Sequence, residues 1–367
     1  MDRTKSQYWE QGSDFHWLTD KEEIPKVQPW SDACVYGGTG RDVLCLLLKH
    51  GMQTRHWRRL WLPAYFCNEV TCAILETGID VAVYPWGPFD KGDVMGKISF
   101  RPDDVLLVVN YFGISKCLKY RKDQRQQITI IEDHTHDPWS DWSYSSKADW
   151  CIASLRKLLP LPDGGVLWSP LNHPMPSAVS ITRKRKYASL QKIAGMSLKS
   201  LYIQGGAVKK DTFRPLLIDA EKEIAKGALS GMTDWSKDLL SSYPVDRWRE
   251  KRRINHRCLS YNLSDLPWLT VPVIADEKGR CPYSGIIVFD NAGLCSYVRD
   301  KLIKTDIYPA VLWPLEKSIV KGIPDQYVEL SRRLLSICCD MRYDEEDMLY
   351  VGRKIREYGN EYINVRL

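Results

Sequence analysis

Residues Ala148 to Trp168 read ADWCIASLRKLLPLPDGGVLW, and this stretch decides the fold. Trp150 to Ala153 is short and apolar, as a buried strand is, and Ser154-Leu155-Arg156-Lys157 follows it directly. Two prolines and Asp163-Gly164-Gly165 then make a loop, and Val166 to Trp168 forms a second apolar strand. The prolines keep the loop from becoming a helix, so Lys157 is held at the edge of a buried sheet. An amine there loses part of its hydration and becomes a candidate Schiff-base nucleophile. Ser154 places a hydroxyl three residues earlier, where it can hold a phosphate beside that amine. Taken alone, Ser-x-x-Lys fits a surface lysine better, and Asp-Gly-Gly a plain hairpin turn. The order of motifs along the chain separates the two.

A chain of 367 residues is long for one simple core, so a large domain and a smaller one are expected. With 44% hydrophobic and 27% charged residues the composition is that of an ordinary soluble globular protein. There is no run of about 18 apolar residues, and MDRTKSQYWEQGSDFHW lacks a signal-peptide core, so the expected location is the cytoplasm and no membrane partner is expected. The 11 cysteines are scattered and mostly inside apolar segments (Cys45, Cys72, Cys151, Cys295), which reads as reduced core thiols. No CxxC or histidine spacing supports zinc, and no metal is expected. A formal charge of +6, spread rather than striped, favours an anionic small ligand over nucleic acid. Arg183-Lys184-Arg185-Lys186, with Lys192 and Lys199 following, is either a solvated helix start or a rim that attracts a phosphate-bearing substrate.

Upstream, Val35-Tyr36-Gly37-Gly38-Thr39-Gly40-Arg41-Asp42 leads into a helical run from Val43 to Lys49. Such a turn can aim backbone N–H groups at an anion, although a glycine turn without a ligand fits the same residues. Leu60 to Phe66 reads as a strand that ends at Pro63 and is followed by aromatics, and a helix runs from there to Glu76, with Gly78 as its stop. Ile79 to Tyr84, Val105 to Asn110 and Ile128 to Ile131 are strands of the kind covered on both faces. This alternation from residue 40 to 170 predicts a layered α/β domain. Glu132-Asp133-His134-Thr135-His136-Asp137 follows the Ile128 strand, and in open parallel sheets the loops beyond the carboxyl ends of strands build the ligand site. A buried Asp133 needs a cation or a protonated ring nitrogen, or else serves as a turn cap. A metal reading of His134, His136 and the acids is weaker, because neighbouring side chains on a turn rarely converge on one ion.

From Pro176 to about Arg253 the pattern is helical and charged, interrupted at Gly205-Gly206 and around Pro215. Leu269 to Ala275, Gly285 to Asp290 and Ile307 to Leu312 are strand-like, and helices are predicted at Ala292 to Lys304 and Glu345 to Tyr358. These place a large domain at residues 1–245 and a smaller α+β domain at 246–367.

A glycine turn at a helix start, aromatics after a proline-ended strand, a strand followed by Glu-Asp and a strand followed by Ser-x-x-Lys now stand in one order. With IIEDHTHD and ASLRKLLPLPDGGVL as its most specific parts, the chain resembles the fold-type I pyridoxal-phosphate enzymes, and among them the DegT/DnrJ/StrS aminotransferases. The resemblance implies a three-layer α/β/α large domain and a homodimer whose partner completes the phosphate pocket. It implies Lys157 as the Schiff-base lysine and proton shuttle, Asp133 on the pyridine nitrogen, and His136 near the phenolic oxygen. The phosphate would take backbone N–H groups of Gly40, Arg41 and Asp42 and the hydroxyl of Ser154, while Phe66 or Tyr65 would stack on the ring. Trp313 and Arg342 would face the substrate, Arg342 gripping a carboxylate, although Arg342 fits an ion pair with Asp340 or Glu345 equally well. The implied activity is transfer of an amino group, with glutamate as the expected donor, to a keto or aldehyde acceptor such as a nucleotide-linked keto sugar. A lyase or other α-carbon reaction, and a non-catalytic relative of the fold, are the alternatives. The segment departs from the family in its short serine-to-lysine gap and in Arg156 before the lysine, which bears on the substrate more than on the cofactor. Lysine in place of histidine speaks against the family's dehydratases.

Overall fold

The computed structural model describes residues 8–20, 28–30, 33–93, 95–117, 128–272, 274 and 279–364. Its first half alternates β1 (Val35–Gly37), α1 (Gly40–Arg55), β2 (Arg59–Pro63), α2 (Asn68–Leu75), β3 (Asp80–Tyr84), β4 (Asp104–Val109) and β5 (Thr129–Asp133). The short α3 (Asp141–Tyr144), β6 (Trp150–Ser154) and β7 (Gly165–Trp168) complete it. The strands form one seven-stranded sheet in the order β1-β7-β6-β5-β4-β2-β3. From β3 to β6 all neighbours are parallel, and β7 and β1 are added antiparallel at one side. Every residue of β4 and β6 is buried, which is why these strands read as unbroken apolar runs. Because Val109 pairs with Asp133 and Asp133 with Ile152, the carboxyl ends of β4, β5 and β6 lie side by side. The sheet makes the chain an α/β protein.

The start of α1 is fixed by Thr39, whose extended backbone and side chain cap the helix. Its Oγ1 accepts the Asp42 amide at 3.0 Å and donates to the Asp42 carboxylate at 3.0 Å. Val43, Leu44, Leu47 and Leu48 then bury one face of the helix. The hairpin between β6 and β7 closes directly behind this cap. A Cβ on Gly165 would sit 2.3 Å from the Thr39 carbonyl, so glycine is required for the approach.

The second half consists of α4 (Arg183–Ile203), α5 (Lys210–Lys226), α6 (Asp234–Ser242), α7 (Val245–Leu263), β8 (Leu269–Thr270) and β9 (Gly285–Phe289). It ends with α8 (Ala292–Ile303), α9 (Asp325–Arg333), β10 (Leu334–Ile337) and α10 (Glu345–Asn364). β10, β9 and β8 make a small antiparallel sheet with its own apolar cluster, in which Phe289, Val298, Leu335 and Val351 are fully or almost fully buried. Arg249 on α7 joins this part to the turn after β5 through the Asp137 carboxylate at 3.0 Å. The N-terminal segment crosses both parts: Glu10 meets Lys199 of α4 at 2.8 Å and Lys210 of α5 at 3.1 Å, while the Gln11 amide donates to the Asp306 carbonyl.

Four features differ from the sequence expectation. Pro215 lies inside α5 instead of interrupting it. An interior proline costs about 3 kcal/mol, but α5 buries Phe213, Leu217, Ala220 and Ile224 along one stripe, and Gly195 of α4 lets Leu217 approach closely. Residues 307–312 form only single bridges, Gln11 to Ile307 and Ala310 to Ser336, because Pro309 has no amide to donate and the chain turns through Asp306 at φ 59. Of the strand expected at Leu269 to Ala275, Leu269–Thr270 is formed, while residues 273 and 275 lie outside the described residues. All 11 cysteines are free thiols, and Cys72, read as a core position, is exposed. Among the described residues no helix is long and apolar enough to cross a membrane.

Candidate functional site

A cleft of about 110 Å³ opens where β4, β5 and β6 end, and Val109, Asp133 and Ile152 contribute those three ends. Beyond them the cleft takes in Gly40 and Arg41 at the start of α1, Thr135 and His136 after β5, and Ser154, Arg156 and Lys157 after β6. Phe66 and Trp313 close it with aromatic surface, and Glu221 and Ile224 of α5 form another wall. Residues far apart in sequence thus share one cavity at the edge that an open parallel sheet reserves for ligands.

Lys157 ends a single 3-10 turn, Leu155–Lys157, that leaves β6 at Ser154. It is partly exposed, and its Nζ stands 5.7 Å from the centre of the Trp313 ring. Asp133 is the last residue of β5; its Oδ1 accepts the Thr135 amide at 2.8 Å, and its Oδ2 has no hydrogen bond among the described residues. One carboxylate oxygen is therefore left to face the cleft.

His136 is buried, and its Nδ1 accepts the Phe112 amide at 3.0 Å. The neutral ring must then carry its proton on Nε2. Burial first, and the charge of Lys157 second, hold this imidazole well below the usual histidine range. Phe112 makes the contact from the left-handed region, φ 54, which a bulky side chain rarely adopts. The His136 ring is stacked on Trp313 at 5.7 Å and 19° and on Phe112 at 5.6 Å and 22°.

At the other end, the amides of Gly40 and Arg41 and the hydroxyl of Ser154 have no partner among the described residues and line the cleft together. A Cβ on Gly40 would lie 2.8 Å from the Cβ of Ser154, so this approach requires glycine. Asp42, whose amide the resemblance also offered to the phosphate, is not free. Its N–H is taken by Thr39, and its carboxylate by Arg185 at 2.9 Å. Burial raises the Asp42 carboxyl and the Arg185 charge opposes that shift.

Of the two aromatics after β2, Phe66 lines the cleft and Tyr65 does not. Tyr65 is fully buried and donates its hydroxyl to the Leu312 carbonyl, so it carries the chain segment that presents Trp313. Arg342 is also elsewhere. Its guanidinium is held by Asp340 at 2.8 Å and by the carbonyls of Ser13 and Asp14, and it lines a different cavity with Glu10, His16 and Lys199. With its donors spent on these groups it is not placed to grip a substrate carboxylate in the cleft. His134 and His136 diverge as well. His134 turns into the core, where its Nε2 lies 2.9 Å from Glu132, and Glu132, His134 and Cys151 form a buried cluster with Ser146 and Trp142. Thr39, Thr135 and Glu221 were not singled out in the sequence; Thr39 and Thr135 act through caps and turns that only the register of the strands brings together.

No family model and no curated protein sequence matches the chain. Solved structures do. DesI, solved in the presence of its TDP-sugar product, is 15% identical with a TM-score of 0.58 over 91% of this chain and 82% of its own. A DegT DnrJ EryC1 StrS aminotransferase from Brucella abortus is 13% identical, with a TM-score of 0.54 over 89% and 86% of the two chains. The PLP form of Spr1654 from Streptococcus pneumoniae is 11% identical, with a TM-score of 0.58 over 92% and 93%. At these identities the likeness is one of architecture, and the chain has the fold of the DegT/DnrJ/EryC1/StrS-type sugar aminotransferases.

Proposed function

We propose that the chain is a pyridoxal-phosphate-dependent aminotransferase that moves an amino group from an amino acid, glutamate first among donors, to the keto group of a nucleotide-linked sugar. One observation carries the reading. An amine, a carboxylate, a neutral imidazole and an anion cradle of backbone amides and a hydroxyl meet in one cleft at the ends of three parallel strands. The DesI structure with its TDP-sugar product supports the acceptor class, and the PLP form of Spr1654 supports the cofactor.

The residues fit that cofactor. The free amides of Gly40 and Arg41 at a helix start, with the Ser154 hydroxyl, suit a phosphate monoester. The open Oδ2 of Asp133 suits a protonated ring nitrogen, and its charge keeps that proton in place. When bound, the cofactor supplies the electron sink for chemistry at the substrate's α-carbon. Lys157 anchors it through Nζ, and once released carries a proton to and from the substrate carbon. His136 offers Nε2–H to an oxygen on the ring. Phe66 and Trp313 exclude water from the reacting end. A second copy of the chain belongs to this reading, as in the dimers of fold-type I enzymes.

The test is a half-reaction. Protein loaded with pyridoxal phosphate is mixed with glutamate, and the visible cofactor band should move to the near ultraviolet as 2-oxoglutarate appears. A keto-sugar nucleotide should then restore the band. Breakdown of the amino acid with no amine form of the cofactor would identify a lyase instead, and a protein that takes up no cofactor would defeat both.

A further inference from the structure

Arg156 is the residue by which the lysine loop departs from the family pattern, and its surroundings are unbalanced in charge. One guanidinium nitrogen donates to Glu221 Oε2 on α5, and the same oxygen accepts Lys192 Nζ of α4 at 2.7 Å. Arg41, at the same end of the cleft, donates to the Ile224 carbonyl at 2.7 Å and has no carboxylate partner among the described residues. Asp42 and Arg185 nearby close on each other at 2.9 Å and leave no charge over. Arg156 and Lys192 therefore share one carboxylate, and Arg41 adds a third cation that has none among the described residues, beside the unpartnered amides of Gly40 and Arg41. Of the other carboxylates near this end, Glu69 is exposed on α2, Asp133 lies at the end of β5, and Asp14 acts on Lys192 from the N-terminal segment.

The imbalance has a physical signature. Burial first, and the neighbouring Arg156 charge second, hold the Lys192 amine below the usual lysine range. Glu221, which burial alone would raise, is brought down to about 2 by Arg156 and Lys192. The Nε of Arg156 is buried without a hydrogen-bond partner. A phosphate monoester carries a charge of about −1.5 to −2 near neutral pH and would give the underpartnered Arg156 and Arg41 an anion to bind.

We infer that Arg156 is a phosphate-binding residue of this cleft, positioned by Glu221 and Lys192 of the chain's own α4–α5 hairpin. This rests on the cofactor reading above and deepens it. The hairpin then does more than decorate the sheet: through Glu221 and Lys192 it closes the phosphate end from within the same chain.

The experiment compares pyridoxal phosphate with pyridoxal, which forms the same bond to Lys157 but lacks the phosphate. Apo-protein is titrated with each, reading tryptophan fluorescence and the visible absorption band. In the wild type, pyridoxal phosphate should bind far more tightly. Arg156→Met should weaken pyridoxal phosphate by roughly 10- to 100-fold and leave pyridoxal unchanged. Glu221→Gln should alter the affinity for pyridoxal phosphate when Arg156 is present and leave it unaltered in the Arg156→Met background. Should Arg156→Met not accumulate as folded protein, Arg156→Lys reads the same comparison with a smaller loss. Equal loss of both ligands, or no loss of either, overturns the inference while the cofactor reading stands. A wild type that binds neither ligand at Lys157 overturns the cofactor reading, and the role of Arg156 with it.

Discussion

The amide of Ser154 donates to the hydroxyl of Thr135 at 3.0 Å. This bond joins the end of the strand that leads to Lys157 to the turn that carries Asp133 and His136. Thr135 is also the residue whose amide holds Asp133 Oδ1 at 2.8 Å, so one threonine sets both sides of the cleft. Thr135→Val keeps the shape and removes the acceptor, leaving a buried amide unpaired at a cost of about 1–3 kcal/mol. Denaturant unfolding should show that loss, and Thr135→Ser should recover most of it.

Asp133→Asn keeps an oxygen for the Thr135 amide but removes the charge offered to the cleft. The change replaces a charge-assisted hydrogen bond with a neutral one, and cofactor affinity should fall by roughly tenfold, with a larger fall in kcat. Equilibrium titration and steady-state kinetics separate the two effects. Unchanged kcat would mean that Asp133 acts only as a turn cap.

His136 should be neutral, with its proton on Nε2, at pH values where an ordinary histidine is half protonated, about 6.5. Burial and Lys157 both act against protonation, and Phe112 occupies Nδ1. Nitrogen-15 chemical shifts of the imidazole give the tautomer directly. A ring that titrates near pH 6.5 would show that the stack with Trp313 and Phe112 is open to water (that being about the unperturbed value).

The N-terminal segment gives a pH dependence. Burial, aided by the charges of Arg342 and Lys199, holds His16 at about 4, and burial holds His256 at about 4, against an ordinary 6.5. Between those values the unfolded chain takes up protons that the folded chain refuses, so stability falls as pH drops from 6.5 to 4. The slope is at most about 1.4 kcal/mol per pH unit for each group. Burial raises Glu10, but Lys199 outweighs it and brings the carboxyl to about 2, so its contribution is lost as pH falls from 4.5 to 2. His16→Gln should flatten the upper part of the curve. Lys199→Met, which leaves Glu10 with Lys210 and the Ser13 hydroxyl, should cost about 1–3 kcal/mol at neutral pH by thermal or denaturant unfolding.

Local pattern made the sheet legible. The apolar runs of β4, β5 and β6 betray strands covered on both faces, and Asp133 at the end of β5 and Lys157 just past β6 fall where a parallel sheet gathers its polar groups. What the sequence could not disclose depends on contacts between distant segments. Pro215 looks like a helix breaker until the stripe of Phe213, Leu217, Ala220 and Ile224 is seen packed on α4. Tyr65 and Phe66 are equivalent on paper, and only the bond from Tyr65 to Leu312 distinguishes them. For Arg342 the sequence left a substrate carboxylate and an ion pair with Asp340 or Glu345 equally open, and only the fold shows that Asp340 and the carbonyls of Ser13 and Asp14 take its donors. The charge run at residues 183–186 hides two fates: Arg185 is buried against Asp42, whereas Lys184 is exposed.

The central claim is that one amine in this cleft, that of Lys157, anchors the cofactor. Protein incubated with pyridoxal phosphate, reduced with borohydride, digested and sequenced by mass spectrometry tests it most directly. The account predicts a stoichiometric phosphopyridoxyl group on Lys157, absent in Lys157→Ala; label scattered over surface lysines, or equal labelling of the variant, would contradict it.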